Sequence, residues 1–277
     1  MTPPSKSPSG AGALGLAGIL LGLPLVLVPV AALALASRGN DAVLDPSRPA
    51  SEVAALEASG RQAPALEVPE PSARSGSLWA RVVSPAMART EPSLDAEPVA
   101  RLSVRTPEGS ASIVSVIATA LDPISGYPWV RIVVPGLPNG RTGWVARTAL
   151  GGSEVSTGRL VVDTQTLTAS LERAGRVVLR VPVGVGAANW PTPLGEFVVR
   201  SRLTRYKSAR YGPVAFGTTA RSAVLTDWPG GGVVGIHGTD RPDLLPGRVS
   251  HGCIRMRNED ILRLTRLMPI GTPLLVV

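Results

Sequence analysis

Hydrophobic side chains at the start of the chain run together rather than alternate. Residues 11–36 form 26 consecutive positions without a charge or a strongly polar group, flanked by Lys6 and Arg38. A helix needs about 20 apolar residues to cross the hydrocarbon of a bilayer, so a transmembrane anchor is expected here, with residues 1–10 on the cytoplasmic side. Pro24 and Pro29 fall inside the run, and such interruptions are tolerated in membrane helices. Ala34-Leu35-Ala36 has the small-x-small form of a cleavage site, which keeps a removed signal peptide open as the alternative. The run is longer than the roughly 7 to 15 residues of a usual signal core, and that favours the anchor. Under both readings most of the chain lies beyond the cytoplasmic membrane, on its outer face or in the cell wall.

The pattern then changes twice. Residues 37–76 are rich in Pro, Ser, Ala and Glu without a sustained apolar period, and they read as a disordered linker. From 77 to 150, short apolar runs at 78–83, 99–104, 112–120, 129–134 and 143–145 are separated by turn residues, the spacing of a small β-barrel. Residues 151–158, with Gly151, Gly152 and Gly158, read as a second linker. Beyond it, 159–163 and 176–181 are expected to pair as strands around a turn at Ala174-Gly175, with further strands at 197–200, 233–237 and 273–277. Only 259–267 reads as a helix, since Ile261, Leu264 and Leu267 share one face. The sequence therefore predicts a mainly β protein of two folded units behind an N-terminal membrane segment.

Charge sharpens this division. The chain carries a net charge of +8, and 26 of its 28 basic residues are Arg. Residues 159–277 hold 16 Arg and Lys against 8 acids, so the excess sits in the last unit. Such a balance suits anionic surroundings. No basic run is interleaved with aromatic residues, which argues against a nucleic-acid groove.

The candidate chemistry is concentrated in one short stretch. The chain has two histidines and one cysteine, and His237, His251 and Cys253 all fall within it. A free thiol is mostly protonated at neutral pH, so covalent catalysis by cysteine wants a neighbouring imidazole. Such a pair is expected to hold Cys253 partly as thiolate. His237 ends an apolar strand and can approach the thiol from across a site, which makes it the expected general base. His251, two residues before Cys253, is expected to shape the pocket with Ser250 and Gly238. The N–H groups of Gly252 and Cys253 are candidates for an oxyanion hole. Arg255 and Thr239 are candidates for substrate binding, Arg255 as a cation for a carboxylate. A zinc site built from His237, His251 and Cys253 is the competing chemistry, weakened by the lack of a fourth ligand and of paired-cysteine spacing.

These residues carry a resemblance. Val183-Gly184-Val185-Gly186, Pro191-Thr192-Pro193-Leu194-Gly195-Glu196-Phe197, Ile236-His237-Gly238-Thr239, Ser250-His251-Gly252-Cys253-Ile254-Arg255-Met256, Asn258-Glu259-Asp260 and Ile270-Gly271-Thr272-Pro273 together resemble the YkuD-type L,D-transpeptidase catalytic domain. Residues 77–150 resemble a bacterial SH3-like domain, through Ala88-Arg89-Thr90-Glu91-Pro92-Ser93 and Gly143-Trp144-Val145. The first resemblance implies a β-sandwich with a catalytic cleft. It also implies cross-linking of peptidoglycan stem peptides in cell-wall biogenesis, through an acyl-enzyme on Cys253, with His237 as base and no metal or organic cofactor. The partners it implies are a donor tetrapeptide and an acceptor amine. The same chemistry with water as acceptor gives an L,D-carboxypeptidase or endopeptidase, and a wall-binding scaffold without turnover is the reading from another class. Two departures stand out: Gly238 occupies a position where some members have serine, and Arg255 one where many have asparagine.

Overall fold

The structure is a computed structural model that describes residues 77–204, 208–225 and 232–277. The predicted membrane segment at 11–36 and the linker at 37–76 lie outside the described residues, and among the described residues no helix is long and apolar enough to cross a membrane.

The first seven strands are β1 (Ser77–Val82), β2 (Ala86–Arg89), β3 (Pro98–Leu102), β4 (Ile113–Leu121), β5 (Pro128–Val133), β6 (Thr142–Ala146) and β7 (Leu150–Ser156). They form one antiparallel sheet in the order β3-β2-β6-β5-β4-β1-β7. The five predicted runs each fall on one of these strands. The predicted linker at 151–158 is overturned, because most of it is β7, paired with β1 from Ser77↔Ser156 to Val82↔Leu150. Only Leu150 and Ser156 of that strand are buried. An edge strand can be held by backbone hydrogen bonds alone, so its side chains need carry no apolar pattern. This sheet has its own apolar cluster, including Val82, Leu102, Val130, Ile132 and Val145.

Ten strands make the second sheet: β8 (Gly158–Asp163), β9 (Thr168–Arg173), β10 (Arg176–Pro182), β11 (Gly184–Gly186), β12 (Gly195–Leu203), β13 (Ala215–Arg221), β14 (Val233–His237), β15 (Gly247–Ser250), β16 (Ile254–Arg255) and β17 (Pro273–Val276). Their order is β10-β9-β8-β17-β12-β13-β14-β16-β11-β15. The hairpin around Ala174-Gly175 joins β9 to β10, and β8 pairs with β9, so the predicted pairing of 159–163 with 176–181 is corrected by an intervening strand. The first half of β12 pairs with β17 and its second half with β13. Side chains from both ends of the sheet, such as Leu160 and Leu171 with Phe216, Ile236 and Ile254, meet in one buried cluster. The sheet is therefore folded over a common core rather than flat. Among the described residues one α-helix, α1 (Asn258–Leu267), adds Ile261 and Leu264 to that core, as its apolar face predicts.

The two sheets touch through a small cluster of Trp79, Ile113 and Val198, with Ile270 packed against it. Polar contacts join them as well. Arg200, nearly buried, donates to both carboxylate oxygens of Glu108 at 2.9 Å. Asn139 exchanges two hydrogen bonds with the backbone of Arg221, at 2.8 and 3.0 Å. Trp129 is buried in the first sheet at 3% exposure and belongs to its core.

Candidate active site

Strand β14 delivers His237. Its residues alternate toward and away from the core, with Val234 and Ile236 buried, and the strand runs parallel to β16 with His237 opposite Arg255. The Met256 N–H donates to the His237 carbonyl at 2.9 Å, fixing the backbone from which the imidazole projects. Cys253 lies in the turn between β15 and β16. Gly252, just before it, has φ +106, a backbone region that a side chain would strain. The thiol and the imidazole meet over Gly235. A Cβ at that position would lie 4.0 Å from Cys253 Sγ and 4.0 Å from His237 Cδ2, and the Gly235 N–H reaches Sγ at 3.4 Å.

The imidazole is fixed by its neighbours. Nδ1 lies 2.6 Å from the Gly238 carbonyl oxygen, a partner that can only accept, so Nδ1 carries the proton and Nε2 has the free lone pair. The edge of the ring meets Tyr211 at a centroid distance of 4.6 Å. The Gly238 carbonyl does this without a side chain, so the glycine in place of serine costs the site nothing.

Burial pulls the His237 imidazole down to about 4; the Gly238 carbonyl opposes the shift and the Arg255 guanidinium adds to it. Burial also pushes the Cys253 thiol above its ordinary value, with the Gly235 N–H and Arg255 pulling the other way. Although Cys253 as a residue keeps some surface, its sulfur sits deep enough for desolvation to decide the direction. The resting pair is therefore a neutral thiol beside a neutral imidazole. This corrects the expectation of a standing thiolate: at rest the site holds a base ready to accept the thiol proton, not an ion pair.

The other predicted residues divide by what they touch. Ser250 Oγ donates to the Cys253 carbonyl at 2.5 Å and accepts from the Gly252 N–H at 3.1 Å, closing the nucleophile turn. That second bond occupies the Gly252 amide, so of the two expected oxyanion donors the Cys253 N–H is the one left as candidate. Thr239 is buried, with Oγ1 accepting from the Arg241 N–H at 3.0 Å, so it holds its loop instead of facing a cleft. His251 is exposed and packs at a tilt against Trp190, with ring centroids 4.3 Å apart. Arg255 borders a cavity of about 370 Å³ together with Arg210, Asp240, Arg241 and Leu244. Its buried Nε has no hydrogen-bond partner among the described residues, which leaves donor capacity beside the site. Among the described residues no group of three His, Cys, Asp or Glu side chains could hold a metal ion, so the three-residue zinc arrangement does not assemble.

Sequence reasoning missed Thr192, Trp190 and Tyr211. Thr192 Oγ1 accepts from the Gly186 N–H and donates to the Gly252 carbonyl, both at 2.9 Å, pinning the Pro191-to-Leu194 loop to the nucleophile turn. Its place between two prolines was visible, but not its role. Tyr211 is far from any motif, and nothing in the sequence marks it.

The residues of this site fall within a segment that matches a known family. Residues 157–276 match YkuD, the L,D-transpeptidase catalytic domain. A Bacillus subtilis protein bearing the name L,D-transpeptidase YkuD is 32% identical over 142 residues, covering 51% of this chain and 71% of that protein. A Bacillus licheniformis protein of the same name is 36% identical over 114 residues, 41% of this chain and 62% of that protein. The chain thus spans less than two thirds of this second relative. A crystal structure of an Enterococcus faecium L,D-transpeptidase mutant aligns at a TM-score of 0.34 and 25% identity, over 44% of this chain and 50% of that one.

Proposed function

The chain belongs to the YkuD family of L,D-transpeptidase catalytic domains, and from that premise we propose that it cross-links peptidoglycan stem peptides through an acyl-enzyme on Cys253. One observation carries the reading: the Gly238 carbonyl holds the His237 Nδ1 proton, leaving the Nε2 lone pair to a site shared with the Cys253 thiol.

In this mechanism His237 Nε2 takes the thiol proton as sulfur attacks the carbonyl of the third stem residue. Negative charge develops on the carbonyl oxygen, where the Cys253 N–H is the available donor. The tetrahedral intermediate collapses, the bond to the terminal D-alanine breaks, and the imidazolium returns its proton to the departing amine. The thioester is then attacked by an acceptor amine, whose proton passes to His237 as the new amide forms and the thiol is released. Arg255, whose buried Nε has no hydrogen-bond partner among the described residues, supplies positive charge for a stem carboxylate. The proposal extends to the rest of the chain: residues 11–36 anchor it to the cytoplasmic membrane with the catalytic unit outside, and the first sheet serves as an SH3-like barrel that keeps the enzyme by its polymer.

Full-length protein incubated with disaccharide tetrapeptide and followed by mass spectrometry tests the reading. An adduct on Cys253 with loss of D-alanine, followed by a dimer joined through the third residue of the donor stem, is expected. Tripeptide without dimer in excess acceptor would make water the acceptor. No adduct, with Cys253→Ala behaving as the parent, would defeat the enzyme reading.

A further inference from the structure

Asn258 opens α1, 21 positions after His237, and no role in the chemistry has been given to it so far. Its side-chain oxygen faces inward on three pieces of backbone. Oδ1 accepts the Thr239 N–H at 2.9 Å. The same oxygen fills the space that a Cβ would need at Gly238, and likewise at Gly212, where φ is +65. The two glycines carry the two restraints on the imidazole. Gly238 supplies the carbonyl that holds Nδ1. Gly212 follows Tyr211, whose ring meets that of His237. One oxygen thus hydrogen-bonds the turn after β14 and packs against Gly212, the residue that follows the short helical turn Ala209–Tyr211.

We propose that Asn258 is a positioning residue for His237, its Oδ1 locking the 237–239 turn against the 209–212 segment so that the imidazole stays in the Nδ1–H form with Nε2 toward the thiol. This rests on the function proposed above. The two glycines belong to the same device: with a side chain at either, Asn258 could not come close enough to hold both segments. Asn258 is itself exposed as a residue, so shortening it opens no cavity in the core.

The test compares full-length parent, Asn258→Ala and Asn258→Asp, which keeps an acceptor oxygen. The rate of Cys253 acylation by the tetrapeptide on its pH-independent plateau is one readout. The other is the nitrogen NMR spectrum of His237, assigned by recording it in a His251→Gln background, since the chain has only two histidines. Asn258→Ala is expected to slow acylation about tenfold to hundredfold at unchanged KM, the size of effect that a small misplacement of a reacting group produces, and to add the Nε2–H tautomer to the spectrum. Asn258→Asp is expected to keep most of the rate and a single tautomer. Parent-like rate and spectrum in Asn258→Ala would overturn the proposal, as would equal loss in both variants, which would assign the role to the amide NH₂. If the parent itself forms no adduct, the functional reading fails, and the tautomer comparison still decides what Asn258 does.

Discussion

His237 and Cys253 are each shifted toward their neutral forms, and this sets the pH dependence of anything they do together. The free enzyme needs an unprotonated imidazole and a protonated thiol, so kcat/KM for the tetrapeptide should rise through about pH 4 and fall only above the usual thiol range. Arg255 lowers both groups. Arg255→Gln should therefore move both limbs to higher pH, whatever it does to the height of the profile; fixed limbs would show that its charge is not felt at the pair. Stability carries the same signature. The unfolded chain, with His237 near 6.5, binds more protons than the folded chain, with His237 at about 4, everywhere between those values. Folding stability should then decline as pH falls through that window, by about 3 kcal/mol in full, and His237→Asn should flatten that part of the curve in urea titrations across pH.

At the scale of elements, the site is an edge-to-edge meeting of β14, β16 and the turn from β15, clamped by the loop before β12. Thr192 is the clamp's polar link, bridging the Gly186 amide and the Gly252 carbonyl. Thr192→Val keeps the shape but strands a buried donor and acceptor, which should cost about 1–3 kcal/mol and slow acylation more than it weakens binding. A parent-like melt with parent-like kinetics would refute the clamp. The strands the sequence revealed were those with large side chains on one face, such as β5, β14 and β17. It hid β13, whose inward positions are Phe216, Thr218 and Ala220; Thr218 is buried by donating to the Val234 carbonyl at 2.6 Å, so no apolar alternation records it. β7 stayed hidden because it is an edge strand with exposed side chains. Of the site, Cys253 and His237, the proposed nucleophile and base, were legible because cysteine and histidine are so few. Tyr211 and the inward turn of Thr239 were not, because both depend on contacts between segments distant in sequence.

At the scale of the molecule, the two sheets meet through an apolar seam and the Arg200–Glu108 pair. Burial alone would raise the Glu108 carboxyl, but its hydrogen bonds and the Arg200 guanidinium outweigh that and leave it below its usual 4.5. The pair's contribution is thus complete above pH 4.5 and is lost as pH falls through the lower folded value. Glu108→Gln should destabilise by about 1–3 kcal/mol, less than the 3–5 of a fully buried pair because Glu108 keeps 30% of its side chain exposed. Parent protein should unfold in urea as one transition by tryptophan fluorescence, and two separated transitions would show that the seam does not couple the sheets. The same chain-wide view gives the neutral Cys253 a second meaning. It is the protein's single sulfhydryl, and peroxide attacks thiolate rather than thiol. With no second cysteine to rescue it by disulfide exchange, a thiol that burial holds in its neutral form should be oxidised by peroxide more slowly than free cysteine at the same pH.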